Sequence, residues 1–268
     1  MIVRQSQLKA WMRCPLLWYW EKQPGVVREQ SSALSFGTAL HDAILVMEQQ
    51  WSLQAGQDRF AEVWDDLSIL GIEYDYLMPR NSHASYLDQG LRAIRDWWFL
   101  VQWESDVVLG REYTFSVPIG EHTLTGTLDK LALRTLKGGE DVVLVSDYKT
   151  SYKAPTRDYL AHDLQFTAYC YATTRPEFWA NLPDGDVIFD KYVGARRFGE
   201  WVQLRTTKRL DAGPREDYHY NRLRYAIDMI AQADAMGIYT PNISGEACEF
   251  CEYRKPCGLP SRIEEGLE

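Results

Sequence analysis

The sequence predicts an α/β domain, a central sheet with helices on its faces, and three observations carry that prediction. From Leu124 to Arg134 apolar and polar residues alternate, Lys137, Gly138 and Gly139 supply a turn, and Val142 to Val145 form the apolar run of a buried strand. Phe36 to Gln50 has the apolar spacing of a mostly buried helix. Trp51 to Trp103 reads as helical, most clearly over Phe60 to Leu70 and Ala84 to Val101. A chain of 268 residues can form one elaborated domain or two. We take it as one, 1–268, with 51–103 as a helical insertion covering one side of the candidate site.

The remaining elements follow in order. Ser6 is placed to cap a short helix over Gln7 to Arg13, and Pro15 to open another over Leu16 to Lys22. The aromatics of WMRCPLLWYW, among them Trp11, Trp18 and Tyr19, read as core. Asp106 to Pro118 begins the sheet. Ser151 to Arg157 is polar, contains Pro155 and is expected to loop over the strand ends. A helix over Asp158 to Thr174 follows, then an edge hairpin of Asp186 to Tyr192 and Trp201 to Arg205. Pro214 is expected to open a long helix to about Met236, closed by Gly237.

Composition narrows the partners. Hydrophobic residues at 46% and charged residues at 25% are those of a soluble globular protein. No apolar run nears the roughly 18 residues of a membrane-spanning helix, and no signal pattern opens the chain, so a cytoplasmic protein with no membrane partner is expected. The net charge of −9 opposes nucleic-acid binding by the chain as a whole, since counterion release rewards basic surfaces. Local cationic groups remain, such as Arg4 with Lys9 and Arg13, Lys149 with Lys153 and Arg157, Arg196 with Arg197, Arg205 with Lys208 and Arg209, and Arg222 with Arg224. For any one of these groups taken singly, a solvated face is the first reading. No G-x-x-x-x-G-K-[ST] phosphate loop occurs, which excludes a helicase motor in this chain.

Chemistry concentrates between Leu124 and Ser151. Asp129 lies on the first strand of the hairpin, and Asp147 and Lys149 close the second, projecting to one face while Tyr148 projects to the other. Two carboxylates converging from neighbouring strands can hold a hard divalent cation, and a lysine beside them offers a point charge to a phosphate oxygen or a water. A surface ion pair on an ordinary hairpin also accounts for D-x-K taken alone.

The pattern Gly126, Asp129, Asp147, Lys149, or G-x-x-D followed by D-x-K, resembles the core of the PD-(D/E)XK nuclease superfamily. Gly37 and His41 ahead of it form a G-x-x-x-H like that of RecB-like nucleases, and Gln165 and Tyr169 after it resemble their Q-x-x-x-Y motif. The resemblance implies a restriction-endonuclease-like core, a mixed sheet flanked by helices. It implies a Mg²⁺ or Mn²⁺ site of His41, Asp129, Asp147 and the Tyr148 carbonyl, with Lys149 catalytic and with Gln165 and Tyr169 near the site and the DNA. Glu112 is a further candidate, because a glutamate often precedes the G-x-x-D strand in these enzymes; an exposed strand glutamate explains it equally well.

Cys248, Cys251 and Cys257 follow C-x2-C-x5-C, a spacing that in a cytoplasmic chain favours metal over disulfides. Three thiolates leave a tetrahedral site incomplete, and Cys14 is the natural fourth; Cys170 is left as a buried thiol. This arrangement resembles the iron-sulfur nucleases of the superfamily, the AddB nuclease domain and the CRISPR-adaptation nucleases. The resemblance implies a 4Fe-4S cluster clasping residue 14 to the 244–258 segment, with zinc as the alternative ion.

The function implied is metal-dependent DNA exonuclease activity on single-stranded DNA or duplex ends, in recombination and repair, CRISPR adaptation or phage DNA processing. The alternatives are a non-catalytic DNA-binding or complex-forming subunit that keeps the fold and cluster, and a zinc-stapled interaction domain. A homo-oligomer and a CRISPR or recombination partner protein stay open.

Overall fold

A computed structural model describes residues 1–26, 32–69, 82–151, 153–243, 247–248 and 251–258. The chain opens with β1 (Ile2–Arg4), α1 (Gln5–Arg13), α2 (Pro15–Glu21), α3 (Ser32–Gln50), α4 (Leu53–Ile69) and α5 (His83–Val101). It continues through β2 (Val107–Ile119), β3 (His122–Thr135), β4 (Asp141–Lys149), α6 (Arg157–His162), α7 (Leu164–Ala172), α8 (Pro176–Trp179) and α9 (Gly185–Tyr192). It ends with β5 (Arg197–Gln203), β6 (Lys208–Arg215), α10 (Asp217–Met236) and α11 (Arg254–Cys257). No helix among the described residues is long and apolar enough to cross a membrane.

The strands form one mixed sheet in the order β1-β3-β4-β5-β6, with β2 on the other edge of β3. β1 runs parallel to β3 and β4 parallel to β5, while the β2-β3, β3-β4 and β5-β6 pairs are antiparallel. One face buries Phe115, Val117, Leu128, Val143 and Val145 with Trp18 of α2, Phe166 of α7 and Leu223 of α10. The other meets the helical segment, where Phe36, Phe60, Trp64 and Trp97 pack with Tyr148 of β4 and Val202 of β5. Helices thus cover both faces, and the restriction-endonuclease-like α/β expectation is borne out.

Four element assignments are corrected. Asp186 to Tyr192, expected as a strand, is helix α9, because Ile188, Phe189 and Tyr192 fall on one helical face against the core. Short apolar runs do not separate the two periods. Pro214 does not open a helix but sits in the edge strand β6 opposite Phe198, where a missing N–H is tolerated; the helix begins at Asp217. The single helix expected over Asp158 to Thr174 is broken at Asp163, whose extended backbone and carboxylate cap α7 by accepting the Gln165 and Phe166 amides. The first helix starts at Gln5 rather than after a Ser6 cap. Leu70, expected to end α4, and Tyr152, in the expected loop, lie outside the described residues.

Candidate active site

The site arises where the sheet splits. β3 pairs with β1 over Thr123 to Thr125 and with β4 from Lys130 to Thr135, so the same edge is unpaired between them. The last β3-β4 rung is Lys130 with Ser146. One rung further, Asp129 and Asp147 stand opposite each other where the ladder has ended. On the other edge, the rungs Arg111 with Lys130 and Tyr113 with Leu128 flank Glu112 and Asp129. Glu112, Asp129 and Asp147 therefore form one row across three strands. Where the next ladder bond would form, the Tyr148 N–H donates instead to Asp129 Oδ2.

Glu112 has φ 45°, a left-handed backbone inside a strand, which a residue with a Cβ holds only at a cost of about 1–3 kcal/mol. Such strain collects at functional positions. Beside it, His41 of α3 places Nδ1 3.6 Å from Glu112 Oε1 and 3.6 Å from Asp129 Oδ1. One ligand atom of each of His41, Glu112 and Asp129 lies within 4.8 Å of the others. His41 Nε2 meets the Tyr148 carbonyl at 3.0 Å. That hydrogen bond makes Nε2 the protonated nitrogen and leaves Nδ1 as the basic one facing the carboxylates.

Asp147 is almost fully buried, and its two oxygens are held differently. Oδ1 accepts from Gln165 Nε2 at 2.8 Å, and Oδ2 lies 2.5 Å from Lys149 Nζ. This second contact is an ion pair without hydrogen-bond alignment. Gln165 also donates to the Tyr169 hydroxyl at 2.9 Å, and that hydroxyl donates to the Thr127 carbonyl at 2.9 Å. Gln5 Nε2, projecting from the start of α1 into the gap in the sheet, gives the same hydroxyl a further bond at 2.9 Å.

Gln5 was not among the residues singled out from sequence. The only signal was indirect: a Cβ on Gly126 would fall 2.7 Å from Gln5 Cγ and 2.8 Å from Phe115 Cζ, so the motif glycine makes room for Gln5. The Gln165 and Tyr169 side chains reach Asp147 and β3, while His41, Glu112 and Asp129 form the tighter group. The Tyr148 carbonyl, expected to face an ion, is engaged by His41 and keeps a second lone pair.

The charges do not balance. Burial, reinforced by the Asp147 charge, pushes the Asp129 carboxyl up to about 7 although His41 and Lys149 oppose the rise. Burial disfavours charge on His41, but Glu112 and Asp129 outweigh it and raise its pKa. Burial likewise works against the Lys149 ammonium, yet Asp147 and Asp129 hold its pKa above the ordinary value. Three carboxylates share one lysine and one histidine. An imidazole nitrogen and several carboxylate oxygens converging in a partly dry pocket suit a hard divalent ion, so the donor set fits Mg²⁺ or Mn²⁺.

The C-terminal end of α1 contacts the segment from Asn242 to Glu252. Cys14 Sγ accepts the Asn242 N–H at 3.3 Å, and Cys248 Sγ lies 3.7 Å from the Asn242 carbonyl. Arg13 reaches the Ala247 carbonyl at 3.1 Å and Glu252 at 3.7 Å. Burial raises the Cys251 thiol, with the Cys257 charge a lesser contributor. Residues 244–246 and 249–250 of the expected cluster segment lie outside the described residues. Cys170 is fully buried and pushed up to about 12 by burial, an inert core thiol. Of the basic groups, Arg197 and Arg209 turn inward rather than forming open surface.

No curated protein matches this chain. The crystal structure of a "Putative exonuclease" from Eubacterium rectale is similar in fold at 12% identity, with a TM-score of 0.52 over 99% of this chain and 94% of that one. The crystal structure of SSO0001 covers 97% of this chain and 87% of its own at 12% identity, with a TM-score of 0.38. Residues 4–258 match the model of the PD-(D/E)XK nuclease superfamily. With a match over nearly its whole length, the chain belongs to the PD-(D/E)XK nuclease superfamily.

Proposed function

We propose that the chain is a metal-dependent DNA exonuclease, one nuclease domain over 1–268 with 51–103 inserted, acting on single-stranded DNA or DNA ends. The observation that carries this reading is the row of Glu112, Asp129 and Asp147, whose charge is left incompletely neutralised by His41 and Lys149. His41, Glu112, Asp129 and Asp147, with the Tyr148 carbonyl, would hold one or two Mg²⁺ or Mn²⁺ ions. Bound there, the ion supplies positive charge that favours attack of water on phosphorus and departure of the sugar oxygen.

The protein groups do the rest. Lys149, kept charged by the two aspartates, orients the attacking water and stabilises charge gathering on the phosphate oxygens. Gln165, itself fixed by Tyr169, holds the Asp147 carboxylate in one orientation. His41 is held by the β4 carbonyl rather than by solvent. In the hydrolysis a water oxygen bonds to phosphorus and the P–O bond to the leaving sugar breaks. One water proton ends on the released hydroxyl and the other passes to solvent.

At the chain ends we infer that Cys14, Cys248, Cys251 and Cys257 hold a 4Fe-4S cluster, with zinc as the ion the same thiolates would otherwise take. The contacts of Cys14 and Cys248 with the single residue Asn242 support this. Its role would be a clasp. Anaerobically purified protein should carry iron, sulfide and broad visible absorption; a colourless zinc protein would reverse the assignment.

Digestion of 5′- and 3′-labelled single- and double-stranded DNA with Mn²⁺ tests the function. Shortening from an end is expected, abolished by chelator and reduced about 10²–10³-fold by Lys149→Ala. Activity surviving both changes would reject the mechanism, and DNA binding without cleavage would make the chain a binding subunit.

A further inference from the structure

The end of β4 borders two cavities. On the α3 side, His41, Glu112, Tyr148 and Lys149 line one of about 590 Å³. On the α7 side lies a second of about 470 Å³ that includes Asp147 and shares Lys149 with the first. Tyr148 and Asp147 leave opposite faces of the strand, so the strand end divides the two. The second cavity has the volume of a small-ligand site, ~300–1,000 Å³, and the mechanism above gives it no occupant.

Its surfaces are of two kinds. Leu160, Phe166 and Trp201 are buried core residues that give it an apolar floor. Tyr159, 51% exposed, lines it as well. Lys9 and Lys153 are exposed at its rim, and neither makes an ion pair among the described residues. The two acids that face it are already engaged. Asp163 accepts the α7 amides of Gln165 and Phe166 at 2.7 and 3.1 Å, and Asp147 is met by Lys149 and Gln165. What remains is two ammonium groups without ion-pair partners around an apolar floor beside an exposed aromatic ring. Those are the complements of a phosphate joined to a base.

We propose that this cavity is a subsite for one nucleotide of the strand being cut, the unit joined to the scissile phosphate. Lys9 and Lys153 hold its outer phosphate and Tyr159 stacks on its base. The proposal rests on the nuclease reading and deepens it: a subsite one nucleotide long measures a single unit from a strand end, so mononucleotides are the main product. Lys9 and Tyr159 thereby become specificity-determining residues contributed by α1 and α6.

The test titrates deoxythymidine 5′-monophosphate, and separately inorganic phosphate, into metal-free protein by calorimetry. Product lengths from end-labelled single-stranded DNA with Mn²⁺ are measured in parallel. The mononucleotide should bind more tightly than phosphate. Lys9→Glu with Lys153→Glu should weaken it tenfold or more, Tyr159→Ala should weaken the mononucleotide but not phosphate, and both variants should shift products to longer fragments. Lys9→Arg with Lys153→Arg should restore binding. Unchanged nucleotide binding and unchanged product lengths in a protein that still digests DNA would overturn the subsite and leave the nuclease reading standing. A wild type that digests no DNA overturns the nuclease reading, and the subsite with it.

Discussion

Neighbours on β3, Lys130 and Asp129, turn into two different groups of buried charges. Lys130 meets Glu104 at 2.5 Å and Asp106 at 3.4 Å. Arg134 grips Asp106 with two bonds of 2.8 Å and reaches Glu200 at 2.8 Å, while Arg209 joins Glu200 at 3.3 Å and also Glu104. Three cations face three carboxylates. Asp129, by contrast, shares its surroundings with Glu112 and Asp147 against Lys149 and His41. Burial pushes both aspartates toward the neutral form. At Asp106 the hydrogen bonds from Arg134 and the charge of Lys130 outweigh it and hold the carboxyl below its usual range; at Asp129 nothing does, and the carboxyl rises to about 7. Burial is common to the two regions, and the number of cations decides which becomes structure and which is left needing an ion.

One substitution can therefore have opposite signs at the two places. The largest effect is expected at Asp106→Asn, which leaves three cations facing the two carboxylates Glu104 and Glu200 and should cost about 3–5 kcal/mol, read as a lower urea midpoint. The wild-type Asp106 contribution is present above the unfolded carboxyl value of roughly 3.9 and is lost as pH falls through the lower folded value. Asp129→Asn should go the other way. A carboxyl raised to about 7 in the fold binds a proton there that the unfolded chain has released, so metal-free stability falls as pH rises from about 4 to 7. The variant should be more stable than wild type at pH 8 by about 1–3 kcal/mol, with the difference gone near pH 4. Equal losses at both positions would break the comparison.

The smallest effect sharpens it. Gln5→Leu removes one of three hydrogen bonds at the Tyr169 hydroxyl without touching a charge. Stability should change by about 1 kcal/mol or less, while kcat falls by up to about tenfold with KM for DNA unchanged. A change in KM alone would make Gln5 a DNA contact instead.

Much of this was legible in the sequence because it is local. The β3-β4 hairpin shows in its alternation and its glycine turn, and α3 and α5 show in their periodic apolar faces. What escaped depends on partners distant in sequence or on a choice between periods. Helix α9 reads as a strand in the sequence because a run as short as Val187 to Phe189, with Tyr192 after it, satisfies either period. Glu112 is a candidate through the family resemblance alone, since neither its left-handed φ nor its place on the Asp129 rung is written in its neighbours. Gln5 reaches Tyr169 only because β1 pairs parallel with β3 from the far end of the chain. The balanced network escaped for the same reason, its members coming from the segment before β2 and from β3, β5 and β6.

The most direct measurement is calorimetric titration of Mn²⁺ into wild type, Asp129→Asn and Asp106→Asn at pH 7. Saturable uptake with proton release is predicted for wild type, retained by folded Asp106→Asn and abolished in Asp129→Asn. A wild type that takes up no ion, or an Asp129→Asn protein that binds Mn²⁺ as well as wild type does, would contradict the claim that this pocket's surplus of negative charge is a metal site.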